Sequence, residues 1–249
     1  MSIRRGPLKP TFQNTYSLDF DGVDEYVEAD DVWNLSTNNW SPFTLSWWFK
    51  GTNPIVGAVH TKGLFGFQID KAGPFLYDGY LGAANLRLYM FNSVYWTVGS
   101  NGTVDLFDNQ WHNCTMILPP GSNDGVDTTN AKLYIDNTLI TTGTQGTATQ
   151  PAAYYKWRKL FIGRTNYLPI EGNLDEIALW KTDETANVEA IYNGGTPTDL
   201  TSLNPLAWYR MGEKATYDGT NWTLVDQGSG GNNATSVNMD LIDRVEDTP

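Results

Sequence analysis

Hydrophobic and polar residues alternate along most of this chain. In FTLSWWFK, Phe43, Leu45, Trp47 and Phe49 fall on one side of an extended strand, with Thr44, Ser46, Trp48 and Lys50 on the other. LFGFQID repeats the pattern with Phe65, Phe67 and Ile69, and LRLYMF, SVYWTVG, WHNCTMIL, KLYIDNTLI, LFIGR and LAWYRMG are further short candidates. Clusters of Gly, Asn, Asp and Pro separate these runs at the interval of a sandwich or barrel. Asp21-Gly22 and Asp136-Asn137 read as hairpin turns. One segment departs from the alternation. TDETANVEAIYNGG begins acidic, carries apolar Ala186, Val188, Ala190 and Ile191, and ends on Gly194-Gly195, which predicts a short helix near 183–193. The pattern as a whole predicts an all-β, antiparallel two-sheet sandwich with that one helix.

Composition narrows the classes. The formal charge of −12 repels phosphate, so nucleic acid is not an expected partner. Cys114 is the sole cysteine, which excludes an intramolecular disulfide and a cysteine zinc cluster. No run of eighteen apolar residues occurs, so no membrane insertion is expected. The opening MSIRRGPLKP has positive charges without the apolar run of a secretory signal, which predicts folding in the cytoplasm where the chain is made. Residues 1–15, with Arg4, Arg5 and Lys9, read as a basic arm that docks on an acidic partner or stays solvated; residues 241–249 read as an acidic tail. Residues 16–240 are then one domain.

The order of SLDFDGVDEYVEA, FTLSWWFK, NQWHNCTMIL, AKLYIDNTLI, LFIGR, GNLDEIALW and VEAIYNGGTPTDL resembles the laminin-G-like branch of the concanavalin A-like lectin/glucanase superfamily. The resemblance covers about residues 16–200 and implies a jelly-roll sandwich. LAWYRMGE and DQGSGGNNATSVNM look like the strand and Gly-Asn turn that usually precede the first hairpin, here placed last. Because chain ends of a sandwich often lie close together, residues 200–240 are expected to complete the same sandwich, with a small separate subdomain as the alternative. The acidic, signal-free chain with its basic arm also resembles virion proteins of tailed bacteriophages, marine ones especially.

The adjacent carboxylates Asp175 and Glu176 in GNLDEIALW are the sharpest chemical question, since buried carboxylates are costly unless paired, hydrogen-bonded or metal-bound. Superfamily hydrolases present Glu-x-Asp-x-x-Glu on their catalytic strand. In a regular strand, neighbours point to opposite faces, so Asp175 and Glu176 are not expected to act as an acid–base pair. His112 and Cys114 share a strand face, a candidate activated thiol set against the plainer reading of a small core residue.

Asp21, Asp24 and Asp175 are candidate Ca2+ ligands if the first hairpin and the late strand converge, against turn-forming and backbone-capping roles for the same residues. In PAAYYKWRK, Tyr154, Tyr155, Lys156, Trp157 and Arg158 form a candidate contact surface for protein or glycan, with ordinary packing as the alternative. Trp48 and Tyr95 are candidate face-lining aromatics. The resemblance therefore implies a non-enzymatic virion component, a capsid decoration, fibre or tail appendage. It would be located on the particle, associate with virion proteins and with copies of itself, and engage glycans. A free carbohydrate-binding module is the alternative and a glycoside hydrolase a further one.

Overall fold

The computed structural model describes residues 12–32, 42–52, 62–69, 77–82, 85–90, 94–98, 106, 108–118, 132–140, 157–164 and 168–249, several of the middle strands by their backbone alone. The alternating segments become strands. In chain order these are β1 (Ser17–Asp21), β2 (Tyr26–Asp30), β3 (Phe43–Lys50) and β4 (Lys62–Ile69), then β5 (Tyr77–Gly82), β6 (Asn85–Met90) and β7 (Val94–Val98). Next come β8 (His112–Leu118), β9 (Lys132–Ile135), β10 (Thr138–Leu139), β11 (Trp157–Ile162), β12 (Leu168–Pro169) and β13 (Glu171–Trp180). Helix α1 (Val188–Tyr192) follows, and β14 (Ala207–Tyr209), β15 (Thr216–Tyr217), β16 (Trp222–Leu224), β17 (Ala234–Val237) and β18 (Arg244–Val245) complete the chain.

Among the described residues the strands form two sheets. One runs β10-β9-β8-β3-β13-β1-β18, with β14 also on β13; the other runs β15-β16-β17-β2-β11-β4-β5-β6-β7, with β12 on β4. Apart from the parallel β12–β4 contact, the pairings are antiparallel. Phe43, Leu45, Trp47 and Phe49 of β3 enter the shared core, where Val27, Ala29, Leu160 and Ile162 of the other sheet belong to the same apolar cluster. Burying each such side chain is worth about 1.5–3 kcal/mol, so alternation on β3 alone contributes heavily to the sandwich.

The other face of the first sheet is also covered. Ile191 of α1 and Leu200 pack with Ala178, Trp180 and Trp208, while Trp48 stacks on Tyr192 with ring centroids 6.0 Å apart. Beside them Asn113, Ser46 and Thr115 satisfy one another through side-chain hydrogen bonds. The helix is shorter than the span 183–193. Asp183 accepts from Thr185 N at 2.9 Å, and a 3-10 turn, Thr185–Asn187, precedes α1. Asn193 at φ +48° ends it, one residue before the glycine pair.

Strands after residue 200 join both sheets: β14 pairs with β13, and β17 pairs with β2. The acidic C-terminal segment does not project as a free tail. Val245 and Arg244 pair with Ser17 and Leu18. Asp247 accepts from Lys50 Nζ at 2.6 Å and Trp111 Nε1 at 3.0 Å, so a cation and an indole hold the acidic end down.

Candidate functional site

The centre of interest is a break in register on β13. Asp175 lies opposite Trp48 of β3 and Ala178 opposite Ser46, leaving Glu176 and Ile177 to face the single residue Trp47. This is a β-bulge, and Glu176 sits at φ +50° within it. Its effect is to reset the alternation. Leu174, Ile177 and Leu179 point into the main core, while Ala178 and Trp180 join the outer cluster. Asp175 and Glu176 therefore both fall on the outer face. The expectation that they point apart fails, because two-residue periodicity does not survive a bulge.

Two neighbouring segments complete the cluster. Glu176 Oε2 accepts from Trp208 Nε1 at 2.6 Å, and its Oε1 accepts from Arg210 Nε at 2.8 Å. Asp175 Oδ1 accepts from the backbone N–H of Glu176 at 2.7 Å, and its Oδ2 from Asn14 Nδ2 at 2.7 Å. Residues 12–16 lie over the group as a strap. Phe12 stacks parallel to Trp208, and the Arg210 guanidinium lies 4.1 Å from the Phe12 ring centroid. Arg210 Nη2 also donates to the Gln13 carbonyl. The amides of Thr15 and Tyr16 both donate to Glu213 Oε1, at 2.5 and 2.9 Å.

The electrostatics follow from this enclosure. Asp175 is fully buried and Glu176 is 3% exposed. Burial, then the charge of Glu176, pushes the Asp175 carboxyl well above its ordinary value. Burial raises Glu176 to about 7, although Arg210 and Trp208 favour its charged form. Of the three neighbouring carboxylates only Glu176 pairs with the guanidinium, and the charge of Glu213 raises both Asp175 and Glu176 further. The cluster thus sets Asp175, whose carboxyl burial raises, beside the buried Glu176–Arg210 ion pair, and neither carboxyl is open to a substrate. Asn14, Arg210 and Glu213 were missed by the strand pattern. Arg210 alone carried a signal, as a charged residue inside the apolar alternation of LAWYRMG.

Asp21, Asp24 and Asp175 are not brought together. Asp21 pairs with Glu171, four positions along β13 from Asp175, which is about 13 Å at the rise of a strand. Asp21 Oδ1 accepts from Val23 N at 2.8 Å, the turn-forming role, and Asp24 is exposed in the same turn. Among the described residues no three His, Cys, Asp or Glu side chains form a group suited to a metal ion.

Cys114 is buried in the core, and burial pushes its thiol well above the ordinary value, the opposite of an activated nucleophile. His112 is held between Asp136, at 2.6 Å from Nδ1, and Asp108, at 3.1 Å from Nε2. Tyr154, Tyr155 and Lys156, together with the arm residues Arg4, Arg5 and Lys9, lie outside the described residues, as does the side chain of Tyr95. Trp157 and Arg158 begin β11, where the backbone of Trp157 pairs with Ile69.

A two-sheet antiparallel sandwich with one short covering helix defines a lectin-type fold. Residues 21–187, well over half of the chain, match the concanavalin A-like lectin/glucanases superfamily in its laminin-G form, and the chain belongs to that family. No curated protein matches the sequence. Among solved structures, the native heptameric SAP-like pentraxin from Limulus polyphemus is similar at 11% identity, over 72% of this chain and 82% of that one, with a TM-score of 0.48. Domains LG4-5 of the mouse laminin alpha1 chain are similar at 10% identity, over 72% of this chain and 45% of that one, with a TM-score of 0.47. Domain 4 of AbnA, a GH43 extracellular arabinanase from Geobacillus stearothermophilus in complex with arabinotriose, is similar at 16% identity, over 70% of this chain and 75% of that one, with a TM-score of 0.44. At these identities the likeness concerns the fold alone.

Proposed function

We propose that the protein is a non-enzymatic attachment module, a structural component of a phage virion whose lectin-like sandwich binds particle proteins and engages glycans. One observation carries the non-enzymatic part. The Asp175–Glu176 pair that the bulge sets on one face is sealed, with Asp175 fully buried and Glu176 engaged by Trp208 and Arg210. A retaining or inverting glycosidase needs two carboxyls flanking an accessible bond. The virion part is supported at the level of sequence, by a basic arm on an acidic body, which suits docking onto acidic neighbours in an assembly.

Mass spectrometry of purified phage particles from the genome that encodes this chain tests the reading. Stoichiometric recovery with capsid or tail proteins supports it, and consistent absence from particles contradicts it. The superfamily match favours a second reading, a free carbohydrate-binding module. That reading predicts saturable glycan binding by a protein absent from particles.

A further inference from the structure

The strap is held to the sandwich by side chains. Residues 12–16 form no strand ladder; their contacts described above are made to side chains of the body. The five residues are read by four side chains of the body: the Phe12 ring by Trp208 and Arg210, the Gln13 carbonyl by Arg210, the Asn14 amide by Asp175 and Arg210, and the Thr15 and Tyr16 amides by Glu213. Side chains that recognise both the main chain and alternate side chains of an extended segment constitute a peptide-binding slot. The slot is also imperfectly satisfied by its present occupant. Glu213 Oε2 is buried without a partner among the described residues. A slot of this kind loses little when one copy of the segment is replaced by another.

We propose that the Asp175–Glu176–Arg210–Glu213 slot is a docking site for the Phe12–Tyr16 segment of a second copy of this chain, exchangeable with the segment that fills it in cis. Charge complementarity selects that occupant. Arg4, Arg5 and Lys9 give the residues just before the strap a charge of +3, which leaves the remaining chain at −15 against −12 for the whole. An incoming arm is therefore drawn to any neighbouring body, and the attraction weakens as salt rises. Exchange of identical elements between protomers joins copies without a new interface. The inference deepens the attachment reading by naming where the arm of one copy is held.

The test uses the full chain and a fluorescent peptide of residues 8–18, read by anisotropy. Phe12→Ala/Asn14→Ala loosens the cis strap. This variant binds the peptide at least about tenfold more tightly than the unaltered protein, adding Glu213→Gln weakens that binding, and a scrambled peptide does not bind. In the unaltered protein, hydrogen exchange gives Thr15 and Tyr16 amides faster exchange than Leu18–Phe20 of β1. A folded variant that ignores the peptide overturns the proposal. So does a variant that fails to fold, or strap amides as slow as those of β1, because either makes the strap part of the core. Particle recovery by mass spectrometry is scored separately, so loss of this inference and loss of the virion reading are distinguishable.

Discussion

Glu176 reaches Arg210 only because its own backbone adopts φ +50°, which turns a strand residue due to alternate inward onto the outer face beside Asp175. A bulky residue in that region is held by its surroundings rather than by preference. The Arg210 and Trp208 hydrogen bonds are what hold it.

Removing one partner of this pair leaves a buried charge. Arg210→Ala is expected to lower stability by about 3–5 kcal/mol in urea unfolding. Glu176→Gln keeps an acceptor for Trp208 Nε1 and costs less. The double variant Glu176→Gln/Arg210→Met is less destabilised than Arg210→Ala alone, since neither charge remains stranded. Equal losses in the single arginine variant and the double variant would mean that packing, not charge, dominates the site.

Stability falls with rising pH near neutrality. Asp175, Glu176 and Glu25 hold their protons more tightly when folded, chiefly through burial, with Glu176 at about 7 and Glu25 at about 8. His112 is also raised, by its hydrogen bond to Asp136 against the opposing effect of burial, with Asp108 adding to the rise. For each group the folded state binds more protons than the unfolded one, so the contribution is complete below the unfolded value and is lost as pH climbs through the folded value. The melting temperature is therefore higher at pH 5.5 than at pH 8.5, and Glu25→Gln flattens the upper part of the profile. A melting temperature that rises over this interval contradicts the buried-proton assignment.

Gly172 and Gly231 separate close approach from mere backbone strain. Gly172 sits at φ +127°, and a Cβ there would collide with the carbonyl oxygen of Lys50 on β3. Gly231 at φ +70° has nothing nearby. Gly172→Ala is expected to cost more than about 3 kcal/mol, combining collision with strain, and Gly231→Ala about 1–2 kcal/mol from strain alone. Thermal unfolding of the two variants, measured side by side, checks the ranking.

Much of the fold was legible because strand periodicity and turn chemistry act locally. Phe43, Leu45, Trp47 and Phe49 enter the core as their spacing requires, and Asp136 and Asn137 form the turn between β9 and β10 with positive φ at both residues. The site was less legible for one local reason and one distant one. Glu is not a residue that announces a left-handed backbone, so the bulge at Glu176 left no mark in GNLDEIALW. The partners Asn14 and Arg210 lie 161 and 34 positions from the carboxylates they serve, and tertiary pairing of β14 with β13 brings Arg210 close, with Glu213 three residues beyond it. The C-terminal segment misled for a similar reason: Lys50 and Trp111, which bind Asp247, are remote in sequence.

We propose that the Asp175–Glu176 pair serves the structure and hydrolyses no glycosidic bond. Reducing-end release by the purified protein across a panel of α- and β-linked polysaccharides tests it most directly. Release indistinguishable from buffer is expected on every substrate, at pH 5.5 and pH 7.5 alike. Sustained release that disappears in a folded Asp175→Asn/Glu176→Gln variant would contradict it.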